Sequence, residues 1–223
     1  TLVLAPNSVQ EMADFVDLAF NLAFKYRNPT FILSDGVIGQ MMEKVYLPPI
    51  KPRRTEEEIY AECPWAVNGH KLKSRKPNIL TSLELDPKVM ENKNLMLQEK
   101  YASMKETEQR FETYKCEDAE YLIISFGSVA RIAEEAVNDL RAEGIKVGLF
   151  RPITLWPYPE KGLKTLAGKL KKILVCEMNA GQMVKDVRLA VDCKLPIEHF
   201  GRLGGVVPDP SEIVDAMKQI IKK

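Results

Sequence analysis

The stretch Tyr121-Leu-Ile-Ile-Ser-Phe-Gly-Ser128 decides the fold, because an apolar run ends there at a glycine turn and a helical pattern begins. Two further apolar runs, at residues 145–150 and 172–177, each precede another amphipathic helical pattern. Apolar strands separated by helices are typical of a parallel sheet that is covered on both faces. The sequence therefore predicts an α/β fold with a doubly wound parallel sheet.

The turns that follow these strands are expected to share one edge of the sheet. Right-handed crossovers place every strand-to-helix loop at the carboxyl edge, where ligands and partners bind in open α/β sheets. The loops at residues 127–128, 151–159 and 177–182 should therefore lie side by side. A fourth strand at 197–200 and a last helix from Ser211 complete the predicted sheet.

The composition excludes several classes of function. A net charge of +1 over 223 residues argues against nucleic acid or a membrane surface as the main partner. No apolar run is long enough to span a bilayer. The four cysteines form no CxxC pair, which argues against a zinc or iron–sulfur site in this chain and suits a reducing cytoplasm; they are Cys63, Cys116, Cys176 and Cys193.

The first 46 residues predict an incomplete second sheet. A strand at 1–5 precedes a capping box of Ser8 and Glu11 and a helix at residues 9–26. A second strand at 30–33 is followed by a turn at residues 34–36, which includes Asp35. This unit is too small to bury a core alone, so its missing strands are expected from residues outside this chain or from another chain. Because the sequence begins with Thr1 rather than Met, we expect part of a longer protein.

Residues 47–116 are predicted to link the two sheets, which gives domains at 1–46, 47–116 and 117–223. Residues 47–54 are rich in proline and basic residues, as in an extended linker. The irregular stretch at 65–70 contains His70, which has no partner at catalytic spacing and is interpreted as structural. A long, narrowly amphipathic helix is predicted at 87–114; it could dock on another subunit or brace its own chain.

No catalytic motif is visible in the sequence. The turn at Gly127 and Ser128 lacks the GxGxxG and GxxxxGK[ST] patterns; its helix start could hold an anion, or Ser128 could simply cap the helix. Glu177, Asn179 and Gln182 are polar residues at a strand end, where they favour a subunit interface over a ligand site. No spacing supports a Ser-His-Asp, Cys-His or paired-carboxylate arrangement. The residues alone predict neither a catalytic group nor a metal ligand.

Several motifs, in chain order, resemble one enzyme family. The pyrimidine-binding domain in the alpha subunit of 2-oxoacid:ferredoxin oxidoreductases ends with motifs similar to Ser8-Val-Gln-Glu-Met12, Phe24-Lys-Tyr-Arg-Asn-Pro29, Leu33-Ser-Asp-Gly36 and Gly39-Gln40. The family's next domain, which is related to the carboxyl-terminal domain of transketolases, has motifs similar to Arg151-Pro-Ile-Thr-Leu-Trp-Pro157, Glu177-Met-Asn-Ala-Gly-Gln-Met183 and Gly201-Arg-Leu-Gly-Gly-Val-Val-Pro208. The Trp65 region and residues 93–101 are most similar to the branched-chain members, which act on 3-methyl-2-oxobutanoate (ketoisovalerate).

The resemblance implies a fold, an activity and partners. It implies a transketolase C-terminal-domain-like sheet preceded by a partial pyrimidine-binding domain, within a subunit that is inactive alone. The full complex would convert a 2-oxoacid to acyl-coenzyme A with thiamine diphosphate and Mg²⁺, and reduce ferredoxin through [4Fe–4S] clusters. This chain alone would bind none of these groups. Partners would be the beta, gamma and ferredoxin-like delta subunits, ferredoxin, coenzyme A and the 2-oxoacid; a homodimer of this chain is an alternative assembly.

The resemblance assigns few site residues to this chain. The family's activating glutamate and substrate loop have no counterpart here, so no catalytic residue is carried over. Asp35 and Gly36 are expected to border the cofactor region. Residues expected at a subunit interface or channel wall are Arg151, Glu177, Asn179, Gly181, Gln182 and Arg202.

Two other functions stay open at this stage. The chain could be a non-catalytic assembly module that dimerises and docks other subunits. It could also belong to another thiamine-dependent enzyme, such as the beta chain of a 2-oxoacid dehydrogenase or a transketolase. Iron and labile sulfide in the purified complex would argue against this last hypothesis.

Overall fold

The computed structural model describes residues 1–67 and 77–222, which form two compact units. The larger unit combines Thr1–Tyr46 with Met104–Lys223, and the smaller one is Leu47–Ser103. His70, interpreted above as structural, lies outside the described residues. The predicted boundaries at residues 46 and 116 stay a prediction.

The described residues form eight strands and eight helices. In chain order these are β1 (Leu2–Leu4), α1 (Val9–Tyr26), β2 (Thr30–Ile32), α2 (Gly36–Gln40), α3 (Glu56–Glu62), α4 (Pro87–Thr107), β3 (Phe111–Tyr114), β4 (Tyr121–Ile124), α5 (Ser128–Ala142), β5 (Val147–Pro152), β6 (Thr154–Trp156), α6 (Glu160–Ala167), β7 (Lys172–Glu177), α7 (Met183–Ala190), β8 (Ile197–Gly201) and α8 (Pro210–Lys222). None of these helices has the length and apolarity to cross a bilayer.

The main sheet of the larger unit has the order β3-β5-β4-β7-β8, with β5, β4, β7 and β8 parallel. Alternate residues along each strand enter different cores, as Ile123 and Ile124 do. One core also contains apolar side chains of α5 and α8, and the other contains those of α6 and α7. The predicted doubly wound parallel sheet is therefore confirmed, with β3 added antiparallel at one edge.

The predicted helix at residues 87–114 is wrong at its carboxyl end. Helix α4 ends at Thr107, and β3 then pairs antiparallel with β5. The Phe111 ring, expected on the helical stripe, stacks on Phe150 with 4.9 Å between ring centroids. Pairing with β5 satisfies a strand edge that would otherwise be open, and this gain outweighs the local helical pattern.

The second sheet of the larger unit has three strands in the order β2-β1-β6. Strands β1 and β2 run parallel, and Thr154 of β6 pairs antiparallel with Leu4 of β1. The loop predicted at residues 151–159 is thus corrected: Arg151 and Pro152 end β5, and Thr154–Trp156 form β6. A strand from the second half of the chain therefore adds a third strand to the sheet of the first half.

The smaller unit consists of an extended segment and two helices. Helix α3 was not predicted; its capping box pairs Thr55 with Glu58. Asp86 caps the start of α4, because its Oδ1 accepts a hydrogen bond of 2.8 Å from the Lys88 amide. Apart from α3 and the first part of α4, the described residues of this unit have no regular secondary structure.

Candidate functional site

The connections of the main sheet diverge between β4 and β7. The chain leaves β4 for β5 on one side and leaves β7 for β8 on the other. In open α/β sheets such a switch point opens a crevice at the carboxyl ends of the strands, where ligands usually bind. Helices α5 and α7 begin at this crevice, so their free amide groups are the natural anion-binding groups of the fold.

A carboxylate of the chain already occupies the start of α5. Asp35 Oδ2 accepts a hydrogen bond of 2.7 Å from the amide of Ser128, 93 residues away. Asp35 Oδ1 caps α2 by accepting 3.0 Å bonds from the amides of Val37 and Ile38. Gly127 precedes α5 with a φ of 64°, and a Cβ there would lie 2.6 Å from Asp35 Oδ2.

The prediction that Ser128 caps α5 is wrong. Gly127 occupies the N-cap position without a side-chain hydrogen bond, and Ser128 is the first residue of the helix. The Ser128 hydroxyl is buried and has no hydrogen-bond partner within the described residues. The Ser128 amide, rather than its side chain, therefore makes the contact at this helix start.

A second carboxylate occupies the start of α7. Glu177 is 2% exposed at the end of β7. Its Oε1 accepts hydrogen bonds of 2.8 Å from the Met183 amide and 3.3 Å from the Gln182 amide, and its Oε2 accepts one of 3.1 Å from the Val184 amide. Glu177, the polar residue that the sequence places at the end of this strand, therefore stabilises the start of α7.

Asn179 and His199 complete the surroundings of Glu177. The Asn179 amide group donates to Glu177 Oε1 at 3.1 Å, and its Oδ1 accepts from the amide of Gly181 at 2.8 Å. His199 Nε2 lies 3.6 Å from Glu177 Oε2. A Cβ on Gly201 would be 2.4 Å from the Asn179 carbonyl oxygen, so only glycine lets the two loops pack this closely.

Arg151 is buried and paired within the chain. Its guanidinium donates two hydrogen bonds to Glu11, of 2.7 and 2.9 Å, and its Nε donates one of 2.9 Å to Glu112. Glu11 also accepts a 2.8 Å bond from the Asn7 amide, so the predicted capping box reaches one residue further back than expected. Arg151 lines a pocket of about 210 Å³ whose rim also includes Glu134.

The remaining predicted interface residues are more accessible. Gln182 is exposed, whereas Asn179, Gly181 and Arg202 are half-buried. Arg202 Nη2 lies 3.3 Å from a carboxylate oxygen of Glu212. The structure thus places these residues around the carboxyl ends of β7 and β8, and the interface or channel role given to them stays a prediction.

A buried carboxylate that sequence reasoning missed links the two sheets elsewhere. Glu108 is 3% exposed and accepts hydrogen bonds from Lys25 at 2.7 Å, Tyr26 at 2.6 Å and Arg110 at 2.7 Å. Burial opposes its ionisation, but these three donors outweigh burial and lower the pKa of Glu108 from 4.5 to about 2. Its position in a charged stretch of the sequence gave no signal that it would be buried.

The described residues do not fit a complete thiamine diphosphate site. They contain no group of three His, Cys, Asp or Glu side chains that could hold a metal ion. Both helix starts at the crevice carry the chain's own carboxylates, which repel a diphosphate. Three of the four cysteines are buried; burial raises the pKa of the Cys116 thiol to about 11 and that of Cys176 further.

Two family models match the chain in succession. The model described as "Pyruvate flavodoxin/ferredoxin oxidoreductase, thiamine diP-bdg" matches residues 1–115. The model described as "Pyruvate:ferredoxin oxidoreductase core domain II" matches residues 119–213. Together they cover both sheets of the larger unit.

Curated relatives match over nearly the whole chain. Ketoisovalerate oxidoreductase subunit VorB from Methanothermobacter marburgensis is 42% identical over 98% of this chain and 60% of its own length. 2-Oxoglutarate synthase subunit KorA from Methanocaldococcus jannaschii is 35% identical over 97% of this chain and 63% of its own length. The chain therefore spans somewhat less than two thirds of the length of these relatives.

Solved structures share the fold. A 2-oxoglutarate:ferredoxin oxidoreductase from Magnetococcus marinus matches with a TM-score of 0.74 and 24% identity, over 99% of this chain and 42% of that one. A split-gene transketolase matches with a TM-score of 0.51 and 15% identity, over 99% of this chain and 57% of that one. The predicted family resemblance and the transketolase-like fold are both confirmed.

Proposed function

The chain belongs to the pyruvate flavodoxin/ferredoxin oxidoreductase family, and from that premise we propose that it is part of a subunit of a 2-oxoacid:ferredoxin oxidoreductase. The complete enzyme oxidatively decarboxylates a 2-oxoacid to acyl-coenzyme A and reduces ferredoxin. One observation carries the proposal: a thiamine-binding model and a core-domain model match residues 1–115 and 119–213 in that order.

The proposed substrate is 3-methyl-2-oxobutanoate. The relatives named for ketoisovalerate are 42% and 41% identical to this chain, against 35% for the 2-oxoglutarate relative from Methanocaldococcus jannaschii. A branched aliphatic substrate calls for an apolar pocket, whereas the second carboxylate of 2-oxoglutarate calls for a basic one. Comparing activity with 3-methyl-2-oxobutanoate and with 2-oxoglutarate therefore tests the proposed substrate directly.

The proposed contribution of this chain is structural. Asp35 and Gly36 would border the cofactor region at the carboxyl end of β2, while residues around Glu177 and Arg202 would face a neighbouring subunit or the substrate channel. Because Arg151 and Glu177 are buried and paired within the chain, reversing their charge would destabilise the chain itself. Assembly is better probed at the exposed side of the same loops, for instance at Leu203.

The cofactors and other partners would complete the site. Thiamine diphosphate with Mg²⁺ would supply the carbanion chemistry, and [4Fe–4S] clusters on a ferredoxin-like subunit would accept the electrons. Beta, gamma and delta subunits, ferredoxin and coenzyme A are the proposed partners, in the cytoplasm. The four free cysteines are consistent with such a reducing compartment.

The test is purification of the full-length subunit with its co-purifying partners, followed by a panel of 2-oxoacids. We expect ferredoxin reduction with 3-methyl-2-oxobutanoate that requires both coenzyme A and thiamine diphosphate, and at least about tenfold lower kcat/KM with 2-oxoglutarate. Iron and labile sulfide should co-purify with the complex. A complex that reduces ferredoxin with none of the 2-oxoacids would refute the proposal.

A role in assembly alone is the second candidate, favoured by the two carboxylates that close the crevice. A Leu203→Asp variant of the full-length subunit distinguishes an assembly role of this loop from a role in the reaction. If partners are lost while the isolated subunit stays folded, the loop is an assembly surface. If partners are retained and turnover falls, the loop belongs to the reactive site. An unchanged complex with unchanged turnover argues against both roles for this loop.

A further inference from the structure

We propose that Asp35 is a positioning residue. Its carboxylate forms a clasp, namely hydrogen bonds to the start of α2 and to the Ser128 amide, which holds the segment after β2 at the switch-point crevice of the main sheet. This inference rests on the proposed function, because it concerns how the thiamine-binding part is held against the core domain. It assigns to Asp35 a role different from direct contact with a cofactor.

The clasp is built from one carboxylate and two helix starts. Oδ1 accepts hydrogen bonds from two amides of α2, and Oδ2 accepts one from the Ser128 amide. The last of these bonds, at 2.7 Å, spans residues 93 positions apart. A carboxylate at the start of the 15-residue helix α5 is further stabilised by the helix dipole.

Gly127 is shaped to receive this carboxylate. Its φ of 64° is a conformation that residues with side chains rarely adopt. A Cβ on this residue would approach Asp35 Oδ2 to 2.6 Å, well inside van der Waals contact. The missing side chain of Gly127 therefore leaves the space that the Asp35 carboxylate occupies.

The segment that follows Asp35 depends on such clasps because it has little packing of its own. Helix α2 is five residues long, and only Ile38 in it is buried. Gly36 and Gly39 are exposed and have no atoms within 4 Å of an added Cβ. The segment is next held at Glu43, whose carboxylate accepts from the Val9 amide at 3.1 Å and from Arg131 at 2.7 Å.

The location of this segment connects it to the proposed reaction. It leaves the carboxyl end of β2, which runs parallel to β1 in the part matched by the thiamine-binding family model. Ligands of α/β sheets bind at that end of the strands. Both oxygens of Asp35 are engaged by backbone amides, so the side chain fixes the local backbone.

Asp35→Asn is the sharpest variant, because it keeps the shape and removes one acceptor. An asparagine oxygen can still cap α2, but its NH₂ group then faces the Ser128 amide, and two donors oppose each other. Gly127→Ala disrupts the same contact through the core domain, because the added Cβ would lie 2.6 Å from Asp35 Oδ2. Asp139→Asn, an exposed change on α5, is the matched control.

The experiment uses the full-length subunit in its complex and has two readouts. Amide hydrogen exchange is measured on peptides that contain Ser128, and the thiamine diphosphate concentration for half-maximal activity is measured with the 2-oxoacid saturating. For Asp35→Asn and Gly127→Ala we expect about tenfold faster exchange at Ser128 and about a tenfold higher half-maximal thiamine diphosphate concentration. The KM for the 2-oxoacid should change less than about twofold at saturating cofactor.

Each outcome decides the proposal. Unchanged exchange at Ser128 in Asp35→Asn would overturn the clasp. Faster exchange with an unchanged thiamine diphosphate dependence would overturn the positioning role, as would a loss of maximal rate alone, which a merely destabilised subunit also produces. If the wild-type complex oxidises no 2-oxoacid, the proposed function fails, and the positioning role fails with it. Hydrogen exchange at Ser128 still tests the contact between Asp35 and Ser128 in that case.

Discussion

The two sheets of the larger unit differ in how completely they are covered. The five-stranded sheet has a core on each face, and Phe150 within it is fully buried. In the three-stranded sheet, α1 and β2 leave Phe20 63% and Phe31 59% exposed beside a hollow of about 430 Å³. The first sheet is therefore covered on both faces, whereas the second leaves large apolar side chains exposed.

The difference indicates what holds the incomplete sheet in place. Its few strands cannot bury enough apolar surface for independent stability. It is attached to the complete sheet by ion pairs and hydrogen bonds from carboxylates, at Glu11, Asp35 and Glu108, and by β6. Stability should therefore depend on apolar packing in one sheet and on buried polar contacts at the junction of the two.

The largest effect is expected from removing a phenylalanine side chain in the five-stranded sheet, compared with one on α1 beside the three-stranded sheet. Phe150→Ala should lower the free energy of unfolding by about 3–5 kcal/mol, because it opens a cavity in a closed core. Phe20→Ala, its matched control, should change it by no more than about 0.5 kcal/mol in this chain. Urea unfolding measures both. Equal losses would mean that the outer face of α1 is covered in solution.

The next effect concerns the junction at Glu108. Glu108→Gln should lower the free energy of unfolding by about 2–3 kcal/mol at pH 7, because Lys25 and Arg110 lose their charged partner. Glu106→Gln, at an exposed carboxylate two residues earlier that pairs with Lys161, should cost less than about 0.5 kcal/mol. A similar cost at both positions would contradict a special role for the buried carboxylate.

The same carboxylate predicts how acid affects the junction. Its pKa is lowered by folding to about 2, so its stabilising contribution is fully present above about 4.5 and declines as the pH falls towards 2. Between pH 4.5 and 2.5 the wild-type chain should therefore lose more stability than Glu108→Gln does. Urea unfolding at several pH values tests this, and parallel curves for the two proteins would contradict it.

A smaller effect on stability is expected from replacing glycines, and it should depend on whether an added Cβ would meet a neighbouring atom. Gly162→Ala should cost about 1–3 kcal/mol, because its Cβ would lie 2.4 Å from the Phe111 ring in the five-stranded sheet. Gly39→Ala in α2 meets nothing within 4 Å and should leave stability unchanged or raise it by up to about 1 kcal/mol. Thermal unfolding of both variants provides the comparison, and a destabilised Gly39→Ala would reveal a neighbour at α2.

The smallest expected effect is a difference in thiol reactivity. Cys193 is exposed, whereas burial raises the pKa of Cys116 to about 11 and that of Cys176 further. A thiol reagent at pH 8 should therefore modify Cys193 well before these two, as read by mass spectrometry. Early modification of Cys176 would mean that the core of the five-stranded sheet opens readily.

The elements that could be predicted are those whose signal is local. Apolar runs such as residues 121–125, glycine turns and helical periodicity predicted the parallel strands and α1, α5 and α8, because burial on one or two faces imposes a short repeat. Strand β3 was missed because four residues with mixed character fit a helix or a strand equally well. Only the open edge of β5 decides between them.

The site was less accessible from the sequence for a related reason. The sequence singled out Glu177 as a polar residue at a strand end, and β7 does end there. Its hydrogen bond to the Met183 amide, six residues later, could not be read from the sequence, and the interface role given to it stays a prediction. Asp35 was noticed through a resemblance, but its contact with Ser128 depends on two segments 93 residues apart. No short spacing encodes such a contact. The positive φ of Gly127 and its missing side chain are its only local traces.

Strand β6 affects how this chain can be recombined with its relatives. Residues 154–156 fall within the span of the core-domain model, yet they pair with β1 at the very start of the thiamine-binding span. A chimera joined near residue 116 would give β1 a foreign neighbour, however well each half folds. A chimera should therefore fold best when residues 1–5 and 153–156 come from the same parent.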